Sequence, residues 1–355
     1  MAGHFGPVIP FVQALRGRGD EVLVAVPQAR WEQARALGAA LLLLPDPPAE
    51  EVAEVWARFR AGQPASPDKE IFAGLNTTAY LPALEQACRE WAPDLVLHDA
   101  AEFAGAIAAH RQGIRHGQIA IGLASIEGGA LTNVSPVLDR YAAGIAELIR
   151  ASPYLTRLPA SLDPSPYPDT RRVRTHARQI RTEANETQPP VYVSFGTVVS
   201  SLPGASEVYR ETLAALGNLP VRALLTTGGA GARLSLGAIP ENVTVADWVD
   251  QDAMIAGASV VVCHGGAGTT FGALESGVPV VVVPFVADQP TNARIATAAG
   301  AGLTVVPGPD ESGRLRERLL RATETVLREP SFRHQASAIA QETAALPLLD
   351  PLALS

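Results

Sequence analysis

The chain has 355 residues, 47% of them hydrophobic and 18% charged, which is long enough for two domains with buried cores and too apolar for a disordered polyelectrolyte. A net charge of −8 with no basic run excludes a phosphate-backbone footprint, so no nucleic-acid partner is expected. Cys88 and Cys263 lie far apart without zinc or disulfide spacing, and no apolar stretch reaches the roughly 18 residues of a bilayer span, which fits a cytoplasmic protein.

Along the chain, short apolar runs alternate with helical patterns. Residues 21–26 read as a strand, 31–37 as a helix, 41–44 as a strand, 80–91 as a helix, 95–97 as a strand and 103–110 as a helix. Such alternation predicts a parallel sheet with crossover helices on both faces. Residues 46–78 and 125–151 read as loop-like or weakly periodic and are expected to line one side of a ligand cleft. From 152 to 190 there are seven prolines and no period of 2 or 3.6, as in a surface linker, and the domain boundary is placed near residue 185.

The pattern then restarts, with strands at 191–194, 222–226, 243–245, 260–263 and 280–284 and helices at 206–216, 251–257, 269–276 and 289–299. The expected architecture is therefore α/β, two doubly wound domains covering 1–185 and 186–355, with the site in the cleft beyond the carboxyl ends of their strands. A last helix is predicted at 331–345, followed by an apolar tail broken by Pro347 and Pro351.

The densest constellation is Val-Val-Val-Cys-His-Gly-Gly-Ala-Gly-Thr-Thr at 260–270. It reads either as an anion cradle, in which glycine N–H groups and a helix dipole meet a phosphate, or as a tight turn with Thr269 or Thr270 as a plain N-cap. A histidine leaving a buried strand straight into a glycine turn favours the cradle, because it can donate to a phosphate. A second glycine turn places Ser194, Gly196 and Thr197 after the strand 191–194, where they can hold a diphosphate from another side. Asp288 and Gln289 end the strand at 280–284 with groups that accept from and donate to sugar hydroxyls, against the plainer reading of Asp288 as a helix cap. Trp248 offers a flat face to a base, with core packing as the alternative.

In this order and spacing, Trp248-x-x-Gln251, His264-Gly265-Gly266-x-Gly268-Thr269-Thr270, Gly277-x-Pro279 and Asp288-Gln289 resemble the donor-binding stretch of the family 1 glycosyltransferases. These are GT-B enzymes that move sugar from a nucleotide to a small acceptor, and the bacterial branch acting on macrolides, enediynes and aromatic polyketides is the most similar. The resemblance covers almost the whole chain. It implies that Trp248 stacks on the nucleobase beside Gln251, and that His264, Gly266, Gly268 and Thr269 hold the diphosphate. It further implies that Thr197 and its loop close on the phosphates while Asp288 and Gln289 grip the sugar. Where the family often has a ribose-binding glutamate, this chain has Gly272, and Glu275 is the candidate replacement.

Gly3-His4-Phe5-Gly6-Pro7 resembles the family's Gly-His loop, which implies His4 as the general base that deprotonates the acceptor. Asp99 would be its carboxylate partner and Glu102 the reserve, with Asp99 as a helix cap the competing reading. Only three residues precede His4, so the family's first strand is missing, and a slot with unpaired backbone on each side is expected between its parallel neighbours. Translation starting upstream of Met1 is the simplest expectation.

The implied function is inverting transfer from a UDP- or dTDP-sugar to a hydroxyl of a small natural product. No cofactor and no metal are expected, so His264 and protein dipoles would stabilise the leaving diphosphate. The expected partners are the nucleotide-sugar donor and a small-molecule acceptor, with no nucleic acid and no membrane span, and a homodimer is allowed. The alternatives are a nucleotide-sugar epimerase of the same fold and a catalytically silent nucleotide-binding partner of a transferase. A nicotinamide dehydrogenase ranks below both, since the G-x-G-x-x-G spacing is absent.

Overall fold

The computed structural model describes residues 2–174, 190–197, 199, 204–229, 235–308 and 314–349. The chain divides into one unit of residues 1–176 with 346–355 and a second of residues 177–345. The boundary expected near residue 185 lies outside the described residues.

The first unit opens with α1 (Ala2–Phe5), a tight turn at Gly6–Val8 and α2 (Ile9–Arg18). His4 therefore sits in a helix and not in the expected loop. There follow β1 (Leu23–Pro27), α3 (Trp31–Arg35), β2 (Ala40–Leu44), α4 (Ala49–Arg60), a wide π-helical segment at Asp68–Asn76 and α5 (Thr77–Trp91). The unit continues with β3 (Leu95–Asp99), α6 (Ala104–Arg111), β4 (Arg115–Ile119), α7 (Ala124–Leu138), α8 (Ile145–Ala151), β5 (Tyr154–Thr156) and β6 (Thr170–Arg172).

Helices thus occupy much of the two stretches that read as loops. In α7, Gly128, Gly129 and Pro136 blur the helical period, and burial of Leu131, Val134 and Leu138 outweighs those weak propensities. β5 is buried at every position, so it carries no alternation for a sequence pattern to reveal.

All strand pairs of this unit are parallel, but they form two sheets, β1-β2 and β3-β4-β5-β6. A cavity of about 920 Å3 separates them, lined by β1 and β3 over their full lengths and by Phe11 and Val12 of α2 and Leu84 and Cys88 of α5. This is the expected slot. A five-residue strand is about 17 Å long and sits about 4.8 Å from each neighbour, so one laid between the two edges would satisfy the backbone groups of both.

The second unit contains β7 (Val191–Ser194), α9 (Ala205–Gly217), β8 (Ala223–Thr226), β9 (Val243–Ala246), α10 (Gln251–Gly257), β10 (Val260–Cys263) and α11 (Ala267–Glu275). It goes on with β11 (Val280–Val282), α12 (Gln289–Ala298), β12 (Gly302–Thr304), α13 (Arg314–Arg328) and α14 (Pro330–Ala344). Its one parallel sheet runs β12-β11-β10-β7-β8-β9. β7, β10 and β11 are buried at every residue, which is why the valine runs mark them so clearly. Strand order reverses between β7 and β10, whose carboxyl ends are paired Ser194 to Cys263. In doubly wound sheets such a reversal opens a ligand crevice.

Beyond α14 the chain returns to the first unit. The Arg174 N–H donates to Pro347 O and the Leu349 N–H to Arg174 O, each at 2.9 Å, and Leu349 packs beside Phe11, Ile119, Leu155 and Val173.

The open edges make a direct prediction. Fusing a five-residue Val/Ile strand through a short linker ahead of Ala2 should raise Tm by about 5 °C or more, through ladder pairing and apolar burial. The same extension with a central proline should leave the melting curve where it was.

Candidate active site

In the first unit, β3 ends on Asp99, and α1 brings His4 Nδ1 to 3.4 Å from Asp99 Oδ1. Asp99 Oδ1 also accepts from the Ala101 N–H at 2.8 Å. Burial pushes the Asp99 carboxyl up, but His4 and the Ala101 amide overcome that and hold it below the usual carboxylate range. The helix cap is supplied instead by Glu102, whose two oxygens accept from the N–H groups of Ala104 at 2.7 Å and Gly105 at 3.0 Å. Glu102 is therefore engaged in holding α6 and does not pair with His4. Burial, then the Asp99 charge, pushes its carboxyl up to about 7. His98, next to Asp99 on β3, is buried with its Nδ1 2.9 Å from Asp99 O.

One face of His4 stacks on Phe72 of the π-helical segment, with ring centroids 5.3 Å apart and planes 28° from parallel. Thr77 Oγ1 donates to Phe72 O, and Tyr141 Oη donates to Gly74 O, each at 3.2 Å, which holds the wide turns in place. Phe72 carried no signal in the sequence, because aromatic stacking on a histidine depends on a fold-level meeting of distant segments.

In the second unit, the Ser194–Cys263 pairing sets the two glycine turns side by side. Gly196 is left-handed at φ +68, and a Cβ on it would come within 2.8 Å of His264 Cε1. Gly265 is left-handed at φ +91, and a Cβ on Gly266 would come within 2.4 Å of His264 Nε2. The imidazole is thus gripped by backbone at both glycines. Burial pushes its pKa down, against the Ser194 backbone and the Asp288 charge, so the ring is neutral near pH 7. His264 Nδ1 is buried with no partner among the described residues. A Cβ on Gly268 would meet nothing, leaving open space at the first turn of α11.

The other residues expected on the donor side lie on neighbouring turns and helices of this unit. Gln251, the first residue of α10, donates through Nε2 to Thr269 Oγ1 at 2.8 Å, and this leaves the Thr269 hydroxyl proton for another acceptor. Trp248 is 68% exposed and flanked by Gly229, where a Cβ would reach its Nε1 at 3.0 Å, so core packing is excluded and the indole stands free. Thr197 is exposed on the turn after β7.

Asp288 stands at the N-cap position of α12 but its side chain caps nothing; Asn292 Nδ2 donates to its Oδ2 at 2.7 Å. Gln289 behaves otherwise than expected. Its Oε1 accepts from the N–H groups of Phe285 at 2.9 Å and Val286 at 3.1 Å, so the oxygen braces the 285–289 turn and only the amide nitrogen remains for a sugar. Glu275 is 5% exposed in α11.

An Asp-x-Asp triplet at Asp250-Gln251-Asp252 escaped the expectation of no metal. Asp250 caps α10, accepting from the Ala253 N–H at 3.2 Å. No group of three or more His, Cys, Asp or Glu side chains among the described residues is placed to hold a metal ion, and no helix among them is long and apolar enough to cross a membrane.

Known glycosyltransferases resemble this chain in sequence and in fold. Residues 210–353 match the family described as Erythromycin biosynthesis protein CIII-like, C-terminal domain. The elloramycin glycosyltransferase ElmGT of Streptomyces olivaceus is 30% identical over 97% of this chain and 91% of its own length. The tylactone mycaminosyltransferase of Streptomyces fradiae is 27% identical over 97% of this chain and 87% of its own. Among solved structures, the glycosyltransferase SnogD from Streptomyces nogalater superimposes with a TM-score of 0.76 at 24% identity, covering 98% of this chain and 93% of that one. The spinosyn rhamnosyltransferase SpnG complexed with thymidine diphosphate gives a TM-score of 0.77 at 23% identity over 100% and 96%. The two structures share the fold.

Glu102 makes a pH-dependent prediction. Its folded-state pKa of about 7 stands above the ordinary 4.5, so its contribution to stability is fully present below pH 4.5 and is lost as pH rises through 7. Glu102→Gln stays neutral, so its Tm minus that of the unmodified protein should climb between those pH values; a difference independent of pH would contradict the assignment.

Proposed function

The chain belongs to the family 1 glycosyltransferases of bacterial natural-product biosynthesis, and from that premise we propose that it transfers a sugar, with inversion, using His4 and Asp99 as base and partner and the His264 turn as the diphosphate holder. The observation that carries the reading is the His264 turn, where a buried neutral imidazole with an unpartnered nitrogen meets glycine backbone and a helix N-terminus.

An ionised Asp99 beside Nδ1 favours the tautomer with its proton on that nitrogen and leaves Nε2 as the basic atom. Nε2 takes the proton of the acceptor hydroxyl as its oxygen attacks the anomeric carbon, and Asp99 stabilises the imidazolium that forms. The bond from that carbon to the diphosphate oxygen breaks in the same displacement, which inverts the centre. Charge growing on the leaving diphosphate meets the His264 N–H, the Gly266 N–H, the Thr269 hydroxyl and the α11 dipole. Trp248 stacks on the base, Asp288 accepts from the sugar hydroxyls, and the Gln289 nitrogen donates to them. Thymidine diphosphate is the first nucleotide to try, because a structural neighbour was solved with it. The enzyme is placed in the cytoplasm, in keeping with two free buried cysteines.

Thermal unfolding with UDP and dTDP tests the donor side. At about 100 times Kd the bound nucleotide adds about 2.7 kcal/mol, and His264→Ala should abolish the shift. An unchanged shift in the variant would remove His264 from the site. For the acceptor side, Asp99→Asn should lower kcat about 100-fold or more while nucleotide affinity stays constant. A drop confined to donor affinity would overturn the base assignment.

A further inference from the structure

We propose that Asn292 is a positioning residue that aims both halves of the donor site at once: the N–H of Gly266 at the diphosphate and Oδ1 of Asp288 at the sugar. The inference rests on the donor-site reading above and goes beyond it, since Asn292 would touch neither ligand group.

Asn292 lies one turn into α12 and is fully buried, at 0% exposure. Its Nδ2 donates to Gly265 O at 2.8 Å and to Asp288 Oδ2 at 2.7 Å. Both partners are acceptors only, which fixes the orientation of the amide. Asn292 Oδ1 has no partner among the described residues, so this buried side chain is kept in place for its two donors.

Each of the two bonds has a directional consequence. Gly265 O and the Gly266 N–H belong to one planar trans peptide and point in opposite senses. Tethering the carbonyl inward to Asn292 turns the Gly266 N–H outward, towards the position a phosphate oxygen would take. The second bond occupies Asp288 Oδ2, which fixes the carboxylate plane and leaves Oδ1 for hydroxyls.

Packing keeps the two elements in register. A Cβ on Gly265 would fall 2.9 Å from Gln289 O and 3.0 Å from Val282 Cγ1, so the turn lies directly against the first turn of α12. The Gln289 oxygen holds the 285–289 turn that leads into α12. One amide nitrogen therefore links the diphosphate and sugar halves of the site.

The test is calorimetric titration of dTDP and dTDP-glucose, with UDP and UDP-glucose run in parallel, into the unmodified enzyme, Asn292→Ala, Asp288→Ala and the double variant. Asn292→Ala should weaken the nucleoside diphosphate about tenfold and the nucleotide sugar by more than that. Asp288→Ala should weaken only the nucleotide sugar. In the double variant the sugar-specific loss should be no greater than in Asp288→Ala alone, because Asn292 acts on the sugar through Asp288.

A residue that merely supports the fold would lower Tm and leave the ratio of the two Kd values unchanged. That result, or sugar-specific losses that add in the double variant, overturns the proposal. If Asp288→Ala fails to discriminate the two ligands, the assignment of Asp288 to the sugar is what fails, and the response of the plain diphosphate to Asn292→Ala still decides the tether to Gly265. Asn292→Ser gives the same readout should the alanine variant not fold.

Discussion

The register of β7 against β10 pairs Ser194 with Cys263, so the two strands end at the same height. From there the chain departs in opposite directions, to β8 on one side and to β11 on the other. Two turns must therefore share one small space, and only glycine permits it: Gly196 and Gly266 both lie closer to the His264 ring than any Cβ could. The burial, neutrality and unpartnered nitrogen of His264 follow from that crowding. So does the docking of α12, whose first turn is packed against Gly265.

The first unit applies the same rule at the end of β3, but with its sheet divided. Asp99 sits where the ladder to β4 finishes, with the Ala100 N–H still bonded to Ile119 O at 3.0 Å, and α1 lowers His4 onto it. Both members of this pair line the cavity between β1 and β3. Their spacing depends on elements that line a slot rather than on a continuous ladder. The π-helical segment compensates from another direction, with Phe72 stacked on the imidazole.

Much of this was legible from the residues alone. The valine runs at β10 and β11 and the glycine turns follow from periodicity and spacing in the sequence, whereas the His4–Asp99 pairing and the divided first sheet were implied by the family resemblance. What stayed hidden depended on tertiary context. α4, α7 and α8 look irregular because glycine, proline or a sparse apolar face weakens their local signal. α13 presents Leu315, Leu319, Ala322 and Val326 to the core, yet its many arginines mask that stripe. Gln289 and Asn292 were indistinguishable by type. The fold assigns one oxygen to a backbone turn and the other residue's nitrogen to two acceptors.

The neutrality of His264 bears on how the proposed diphosphate site would hold its ligand. A phosphate gripped by guanidinium or ammonium groups is held by full charges, and its binding weakens steeply as salt is added. In the proposed site the ring is neutral and the other donors named among the described residues are amides, a hydroxyl and a helix end, which would hold an anion by direction more than by charge. Such a site would select for the oxygen geometry of a diphosphate more than for its charge, and its occupancy would depend only weakly on ionic strength.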